Sequence, residues 1–363
     1  MKKYKKVIHI IADLGNGGAE RQLVELLKLN PTHKLLVLKN TGAYKKDLEK
    51  FNISYTELNI KNSLEVLFFF RKIRKIIKSS NSKIVHAWMY NACLLVSLIK
   101  IFYDKKLKLV WGIRCSNMEL KYYSWTLRCI ILLCKFISSL ANSIIYNSYA
   151  GLKHHSSLGF SKRFSKVIYN GIDEKKFFFS NIRRNKLRKT LGIKKNSIVI
   201  VCASRVDPMK NHLNLLNAFE IVRKQNKRVI LLLIGKGTEI LKVQKGVIAL
   251  GLKLNIEQYY SVGDIIVLPS KFGEGFSNVL AEGMLCKLFP VATNVGDSKD
   301  IISDIGLSIK DSSSKSIANS LKSAIGMSQK EIECLKKKSQ ERIKKKFSIK
   351  KMSFSYNNIY REL

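Results

Sequence analysis

The chain has 363 residues, 46% of them hydrophobic, which exceeds one average domain and is ample for buried cores, so two domains are expected. Lys and Arg total 66 against 26 Asp and Glu, a formal charge of +40 that calls for an anionic partner: nucleic acid, anionic lipid or a phosphorylated substrate. The excess runs from Lys2-Lys3 to Lys350-Lys351 rather than along one tail, so a plain compositional bias is an equal reading, and cysteines at 93, 115, 129, 134, 202, 286 and 334 lack the paired spacings of a zinc or redox motif.

The N-terminus, Met1-Lys2-Lys3-Tyr4-Lys5-Lys6, leads into a short apolar run, Val7 to Ala12. That run reads as a first strand and not as a signal-peptide core, so a cytoplasmic location is expected. Apolar runs at Val7-Ala12, Lys34-Leu38, Lys83-Ala87, Lys108-Gly112 and Ser143-Tyr146 alternate with helix-periodic segments. After the turn signal Asn170-Gly171 the pattern restarts with Ser197-Ala203, Arg228-Ile234, Gly246-Ala249, Asp264-Leu268 and Leu288-Ala292. Such alternation predicts α/β architecture, with parallel sheets covered by helices. Trp125 to Ile145 is apolar enough to raise a membrane helix, but Arg128, Lys135 and several Ser and Asn interrupt it, which predicts a buried or interfacial helix. The Lys-rich stretch Gln329 to Lys351 reads as solvated helix.

Ligands of open parallel sheets bind beyond the carboxyl ends of the strands, so the chemistry is expected in the loops there. The first is Asp13-Leu14-Gly15-Asn16-Gly17-Gly18-Ala19-Glu20, followed by the amphipathic Leu23, Leu26 and Leu27. Its glycines let backbone N–H groups approach an anion at a helix start, although a tight turn without ligand has the same composition. A dinucleotide fingerprint needs Gly or Ala at Glu20 and an acid where Lys39 and Asn40 stand, which disfavours NAD. The second loop, Ser204 to His212, sets Arg205 and Lys210 around Pro208, two cations suited to a diphosphate or else plain solvated charge.

The third loop is the most informative: Pro269-Ser270-Lys271-Phe272-Gly273-Glu274-Gly275-Phe276-Ser277-Asn278, continuing to Glu282-Gly283-Met284. Ser277 or a neighbour can cap a helix whose first N–H groups face a phosphate. Glu274 before that helix and Glu282 within it can accept bidentate hydrogen bonds from sugar hydroxyls, which suits a nucleotide sugar.

These residues resemble the E-x7-E signature of the retaining glycosyltransferases of the GT-B fold, family 4, of the bacterial surface-polysaccharide type. The likeness extends through Gly17-Gly18-Ala19-Glu20, Val85-His86-Ala87-Trp88, Asn170-Gly171-Ile172-Asp173 with Phe177, Arg205 with Lys210, and Val295-Gly296-Asp297. It implies two Rossmann-like domains facing each other across a cleft: residues 1–172 on the acceptor side, 173–349 on the donor side, and a C-terminal helix, 350–363, returning to the first domain. It further implies that Glu274, Arg205 and Lys210 are catalytic. Gly17, Gly18, Arg205, Lys210, Gly275, Phe276, Ser277, Asn278 and Glu282 would bind the donor, with Glu282 on the ribose. His86, Arg114 and Asn170 are acceptor-side candidates, although a His ending a buried strand is more often structural. Between Gly237 and Gly251 the chain looks shorter than similar enzymes.

The implied reaction moves a hexose or N-acetylhexosamine from a nucleotide diphosphate sugar, a UDP-sugar, to a glycan or lipid-linked acceptor with retention. No Asp-x-Asp occurs, so no metal is expected. Two other readings stay open: a basic nucleic-acid-binding protein, and a nucleotide-sugar epimerase or hydrolase of the same architecture. Basic and apolar residues at Leu67 to Lys78 and Lys121 to Lys135 predict attachment to an anionic membrane, on its inner face.

Overall fold

The computed structural model describes residues 5–15, 17–61 and 65–363, with backbone alone at 66–68. Its chain divides into two compact units: residues 1–116, 120–171 and 349–363 form the first, and 117–119 with 172–348 the second.

The first unit runs β1 (Val7–Ile11), α1 (Gly18–Lys28), β2 (Lys34–Val37), α2 (Lys45–Lys50), β3 (Tyr55–Glu57), α3 (Glu65–Ser79) and β4 (Ile84–Trp88). It continues with α4 (Met89–Tyr103), β5 (Lys108–Ile113), α5 (Trp125–Ile137), β6 (Ser143–Tyr146), α6 (Tyr149–Ser157) and β7 (Ser165–Val167). The strands pair in parallel in the order β3-β2-β1-β4-β5-β6-β7. Every residue of β1, β4 and β6 is buried, as expected of strands covered on both faces, so these segments are continuous apolar runs rather than alternating ones. Ser124 and Ser148 start α5 and α6 by accepting the N–H of Leu127 and Gly151, which satisfies donors a helix start would leave open.

The second unit runs α7 (Asn181–Thr190), β8 (Ile198–Ala203), α8 (His212–Gln225), β9 (Val229–Ile234), β10 (Val247–Ala249), α9 (Ile256–Tyr260) and β11 (Ile265–Leu268). Then follow α10 (Asn278–Leu285), β12 (Phe289–Thr293), α11 (Ser298–Ile302), β13 (Leu307–Ile309), α12 (Ser314–Gly326) and α13 (Gln329–Lys346). The sheet order is β10-β9-β8-β11-β12-β13, again parallel. Asp264 ties its base together, receiving Arg184 at 2.6 Å, Arg188 at 2.8 Å and the Val199 N–H at 2.8 Å.

The chain ends on α14 (Ile349–Glu362), a member of the first unit that packs on α1. Asn30 joins them, donating to Ser353 Oγ at 3.0 Å and accepting from the Asn357 amide at 2.9 Å. Met352, Tyr356, Ile359 and Tyr360 enter the same core as Leu23, Leu26 and Leu27.

Two segments differ from their sequence-based expectation. The apolar stretch from Trp125 is helical only to Ile137, because residues 138–140 form a 3-10 turn and Ser143 opens β6. The Lys-rich stretch breaks at Phe347 into α13 and α14, and α13 is not merely solvated: Ser339 and Ile343 are buried, and Gln340 donates to Leu285 O on α10 at 2.7 Å.

Candidate active site

In the second unit the loops after β8 and β11 are stitched together. Asp207 caps the 3-10 turn Pro208–Lys210 by accepting the Met209 N–H at 3.0 Å. The next residue, Asn211, is in the left-handed region at φ +59°, which an Asn tolerates better than most residues, and its amide donates to Pro269 O at 3.0 Å and Ser312 O at 2.8 Å. Lys271 N–H reaches back to Met209 O at 2.8 Å.

This stitching brings Lys210 onto Glu274. Lys210 Nζ donates to Glu274 Oε1 at 2.5 Å, and Ser270 Oγ donates to the same oxygen at 2.6 Å. Glu274 and Ser270 are buried. Thr293 steadies Ser270 from behind, its hydroxyl donating to Ser270 O at 2.7 Å. Two converging donors, one charged, orient one carboxylate oxygen. Arg205 instead pairs with Asp207 at 2.9 Å, and its side chain is largely exposed. These two loops thus carry an exposed Arg205–Asp207 pair and a buried Lys210–Glu274 pair.

The backbone from Gly273 to Ser277 leads into α10. Ser277 occupies the cap position, but its side chain makes no capping bond. Gly296, at φ +62°, lies against the carbonyls of Glu274 and Gly275, and any Cβ there would overlap both oxygens. Asp297 N–H holds Gly275 O at 3.1 Å. Phe276, Ser277 and Asn278 are buried, and Phe276 packs on Phe347 with ring centroids 5.1 Å apart. Glu282 is buried inside α10 and accepts the hydroxyl of Tyr260, also buried, at 3.0 Å. Between Gly237 and Gly251 there is a 3-10 turn, Thr238–Ile240, and the short strand β10.

In the first unit, Gly17 is the cap residue of α1 and has no side chain to satisfy it. The Glu20 carboxylate folds back over Gly17, close enough to fill the place of a Cβ. A bound anion at this helix start would have to displace that carboxylate. Asn16, in the same loop, lies outside the described residues.

His86, Arg114 and Asn170 are brought together, but as buried residues. Arg114 donates to the hydroxyl of Tyr356 at 2.6 Å and to the Asn170 side-chain oxygen, and lies over the Trp88 ring. His86 stacks on Trp88 at 4.6 Å and meets the Tyr360 hydroxyl through Nδ1 at 2.7 Å. Trp88 donates its indole N–H to His9 Nδ1 at 3.1 Å, so His9 carries its proton on Nε2 and donates to His33 Nδ1 at 3.0 Å. Burial lowers His86 and His9 well below the usual imidazole value, and Arg114 adds to the effect on His86. His33 is lowered by burial to about 4. This neutral histidine cluster seats α14 on the sheet. Among the described residues, no group of three or more His, Cys, Asp or Glu is arranged to hold a metal ion.

Sequence reasoning did not assign Ser270, Thr293 or Tyr260. Ser270 stands next to the motif; Tyr260 has no local signature, because its partner is 22 residues away.

A Glycosyltransferase Family 4 model matches residues 16–176, and a Glycosyl transferases group 1 model matches residues 197–326. The capsular polysaccharide biosynthesis glycosyltransferase CapH of Staphylococcus aureus is 23% identical over 372 residues, covering 98% of this chain and 94% of that protein. The N-acetylgalactosamine-N,N'-diacetylbacillosaminyl-diphospho-undecaprenol 4-alpha-N-acetylgalactosaminyltransferase of Campylobacter jejuni is 25% identical over 307 residues, covering 78% and 79%. Among solved structures, Anabaena Alr3699/HepE in complex with UDP and glucose superposes with a TM-score of 0.86 at 22% identity, covering 99% of this chain and 100% of that one. With both units matched and the paired parallel sheets of the GT-B fold in place, the chain belongs to the family 4 glycosyltransferases.

Proposed function

We propose that this enzyme transfers a hexose or N-acetylhexosamine from a UDP-sugar to a lipid-linked or glycan acceptor, with retention and without a metal, in building a surface polysaccharide. The observation that carries the reading is the Lys210–Ser270–Glu274 junction ahead of the start of α10. Arg205, Lys210 and the N–H groups of Ser277 and Asn278 would take the diphosphate, and Gly275 and Phe276 would lend backbone to the sugar beside Glu274. Glu282 would take the ribose. Relatives named for capsule synthesis and for a diphospho-undecaprenol acceptor support the substrate class, and UDP-bound neighbours support the donor.

In this reading the bond from the anomeric carbon to the diphosphate breaks as the acceptor oxygen bonds to the same face of that carbon. The acceptor proton passes to a donor phosphate oxygen. Fixed cations and helix N–H groups stabilise the charge growing on the leaving diphosphate, which is electrostatic preorganisation rather than covalent catalysis. Gly17 and Gly18 are assigned to the donor by the likeness of their loop to the family's motif. The buried state of His86, Arg114 and Asn170 favours support of the acceptor side over direct contact. A membrane-borne acceptor would draw the enzyme to the inner face of an anionic membrane, and a charge of +40 suits that surface.

The test is a panel of nucleotide sugars read by thermal shift and by transfer to a lipid-linked acceptor. A donor held a hundredfold above its Kd stabilises by about 2.7 kcal/mol. If no nucleotide sugar stabilises the protein and no sugar is transferred, the proposal falls.

A further inference from the structure

The outward faces of α3 and α5 differ in a way that helix packing alone does not require. On α3, Ile73 and Ile77 are buried while Arg71, Lys72, Lys75 and Lys78 are exposed, the usual division between core and water. Leu67 and Phe68, at its start, lie outside the described side chains. On α5, Ile131 and Cys134 are buried, and Cys134 Sγ contacts Tyr90 O on α4, so the inward face already has its partner. The opposite stripe, at i, i+4, i+7 and i+11, is Trp125, Cys129, Leu132 and Phe136. Trp125 is 73% exposed, Leu132 52%, Leu133 51% and Phe136 70%. A helix apolar on both sides is stable only where something apolar covers its second side.

The surroundings identify what covers it. Phe102, at the end of α4, and Tyr122, before α5, are also exposed. No Asp or Glu occurs between Glu119 and Asp173, while seven Lys or Arg do. Lys135 lays its ammonium 5.7 Å from the Phe136 ring and Lys121 lies 5.1 Å from the Tyr122 ring, so the charged heads sit beside the rings they border. Large apolar side chains flanked by cations, with no acid near in sequence, match the layering of an anionic bilayer: acyl chains below, phosphates above. No described helix is long and apolar enough to cross a membrane, which agrees with a helix lying along the surface.

We propose that α5 is a membrane-docking helix that lies in the interface of an anionic bilayer, with Trp125, Leu132, Leu133 and Phe136 inserted and Arg128 and Lys135 on lipid phosphates. The inference deepens the reading of a membrane-borne acceptor given above and assigns its surface to one element, with α3 contributing charge but no insertion.

Fluorescence provides a direct test, because Trp88 and Trp111 are fully buried and Trp125 alone of the three tryptophans is exposed. Vesicles of phosphatidylcholine with phosphatidylglycerol should shift the emission of the full chain to the blue, and lipids brominated in the acyl chain should quench it. Trp125→Ser/Leu132→Ser/Phe136→Ser should lower the vesicle-bound fraction in sedimentation at least tenfold at an unchanged Tm, since these side chains leave the core intact. Arg71→Gln/Lys75→Gln should lower it only a few-fold and leave the quenching of the bound protein unchanged. Absence of quenching, or sedimentation of the triple variant equal to wild type, would overturn the proposal. So would a concentration-dependent dimer, lost in the triple variant, with no vesicle binding. The UDP-sugar thermal shift separates the two readings: vesicle binding without any donor shift would sink the proposed transferase chemistry and leave the docking helix standing. A donor shift kept in both proteins without vesicle binding would do the reverse.

Discussion

Lys210 and Glu274, 64 residues apart in sequence, meet at 2.5 Å because Asn211 and Lys271 tie their loops together. Both side chains are largely buried, so each needs the other for charge compensation. On the proposed assignment the donor diphosphate competes with Glu274 for Lys210 and turns the carboxylate toward the sugar. Glu274→Ala should abolish transfer and also lower the Tm, because it leaves the Lys210 ammonium buried without its partner. Lys210→Ala should lower kcat by about two decades through lost leaving-group stabilisation, and Arg205→Ala by a similar factor. Ser270→Ala removes one donor to Glu274 and should cost about tenfold in kcat, the worth of a hydrogen bond to a charged group. Full activity in both Glu274→Ala and Lys210→Ala would remove the site assignment.

Much of this was legible in the residues. All the strands expected from apolar runs are present, and each is long enough, or near enough to a turn signal, to stand out. The strands without such a signal, β3, β7 and β13, are three-residue edges of their sheets, with few fully buried positions and hence little hydrophobic pattern. The glutamate pair and its basic partners were readable as types at a spacing. That Lys210 chooses Glu274 while Arg205 chooses Asp207 was not, because pairing depends on how two loops are sewn together in space. Outward exposure on α5 was equally hidden, since an apolar helix looks the same from either side in one dimension.

Gly296 should be intolerant of any side chain. Its φ of +62° already disfavours L residues by about 1 to 2 kcal/mol, and a Cβ would press on the carbonyls of Glu274 and Gly275. Gly296→Ala should therefore move the Glu274 loop, lowering kcat at least tenfold with a smaller change in donor Kd measured by calorimetry. Equal kcat in the variant would show that the loop does not depend on this contact.

Acid should loosen the first unit. His33 and His155 are lowered to about 4, and His9 and His86 well below the usual imidazole value, chiefly by burial. His155 is held by Tyr90 at 2.6 Å and Gly151 O at 2.7 Å, its neutral form filling both bonds. For each group the unfolded chain binds the proton that the fold excludes. The stabilisation is complete above pH 6.5 and is lost as pH falls below it, for His33 and His155 down to about 4 at about 1.4 kcal/mol per unit each. Urea unfolding between pH 7.5 and 5 should show stability falling with a slope of more than one proton. A flat profile would mean these imidazoles are already protonated in the fold.

Chelation and stereochemistry test the proposed chemistry independently of any variant. EDTA should leave turnover unchanged, because cations of the chain and the start of α10 are assigned to the diphosphate in place of a metal. NMR of the product should show the donor's anomeric configuration kept. Inhibition by EDTA that magnesium or manganese reverses, or an inverted product, would count against metal-free retention.

Tyr260 offers the sharpest separation of binding from chemistry. Its hydroxyl donates to Glu282 Oε2 at 3.0 Å in the second unit, where both residues are buried. If Glu282 takes the ribose, it acts on a part of the donor that does not change during transfer, so its contribution is equal in the ground and transition states. Loss of such uniform binding raises KM and leaves kcat in place. Glu282→Ala should weaken the donor by about 1.5 to 3 kcal/mol, one to two decades in Kd. Tyr260→Phe keeps the ring and removes a bond that orients the carboxylate, and should raise Kd by a few-fold to tenfold at unchanged kcat. Titration calorimetry with the free nucleoside diphosphate reads this without any acceptor. A fall in kcat with Kd unchanged in Tyr260→Phe would move Glu282 from the ribose to the reacting sugar.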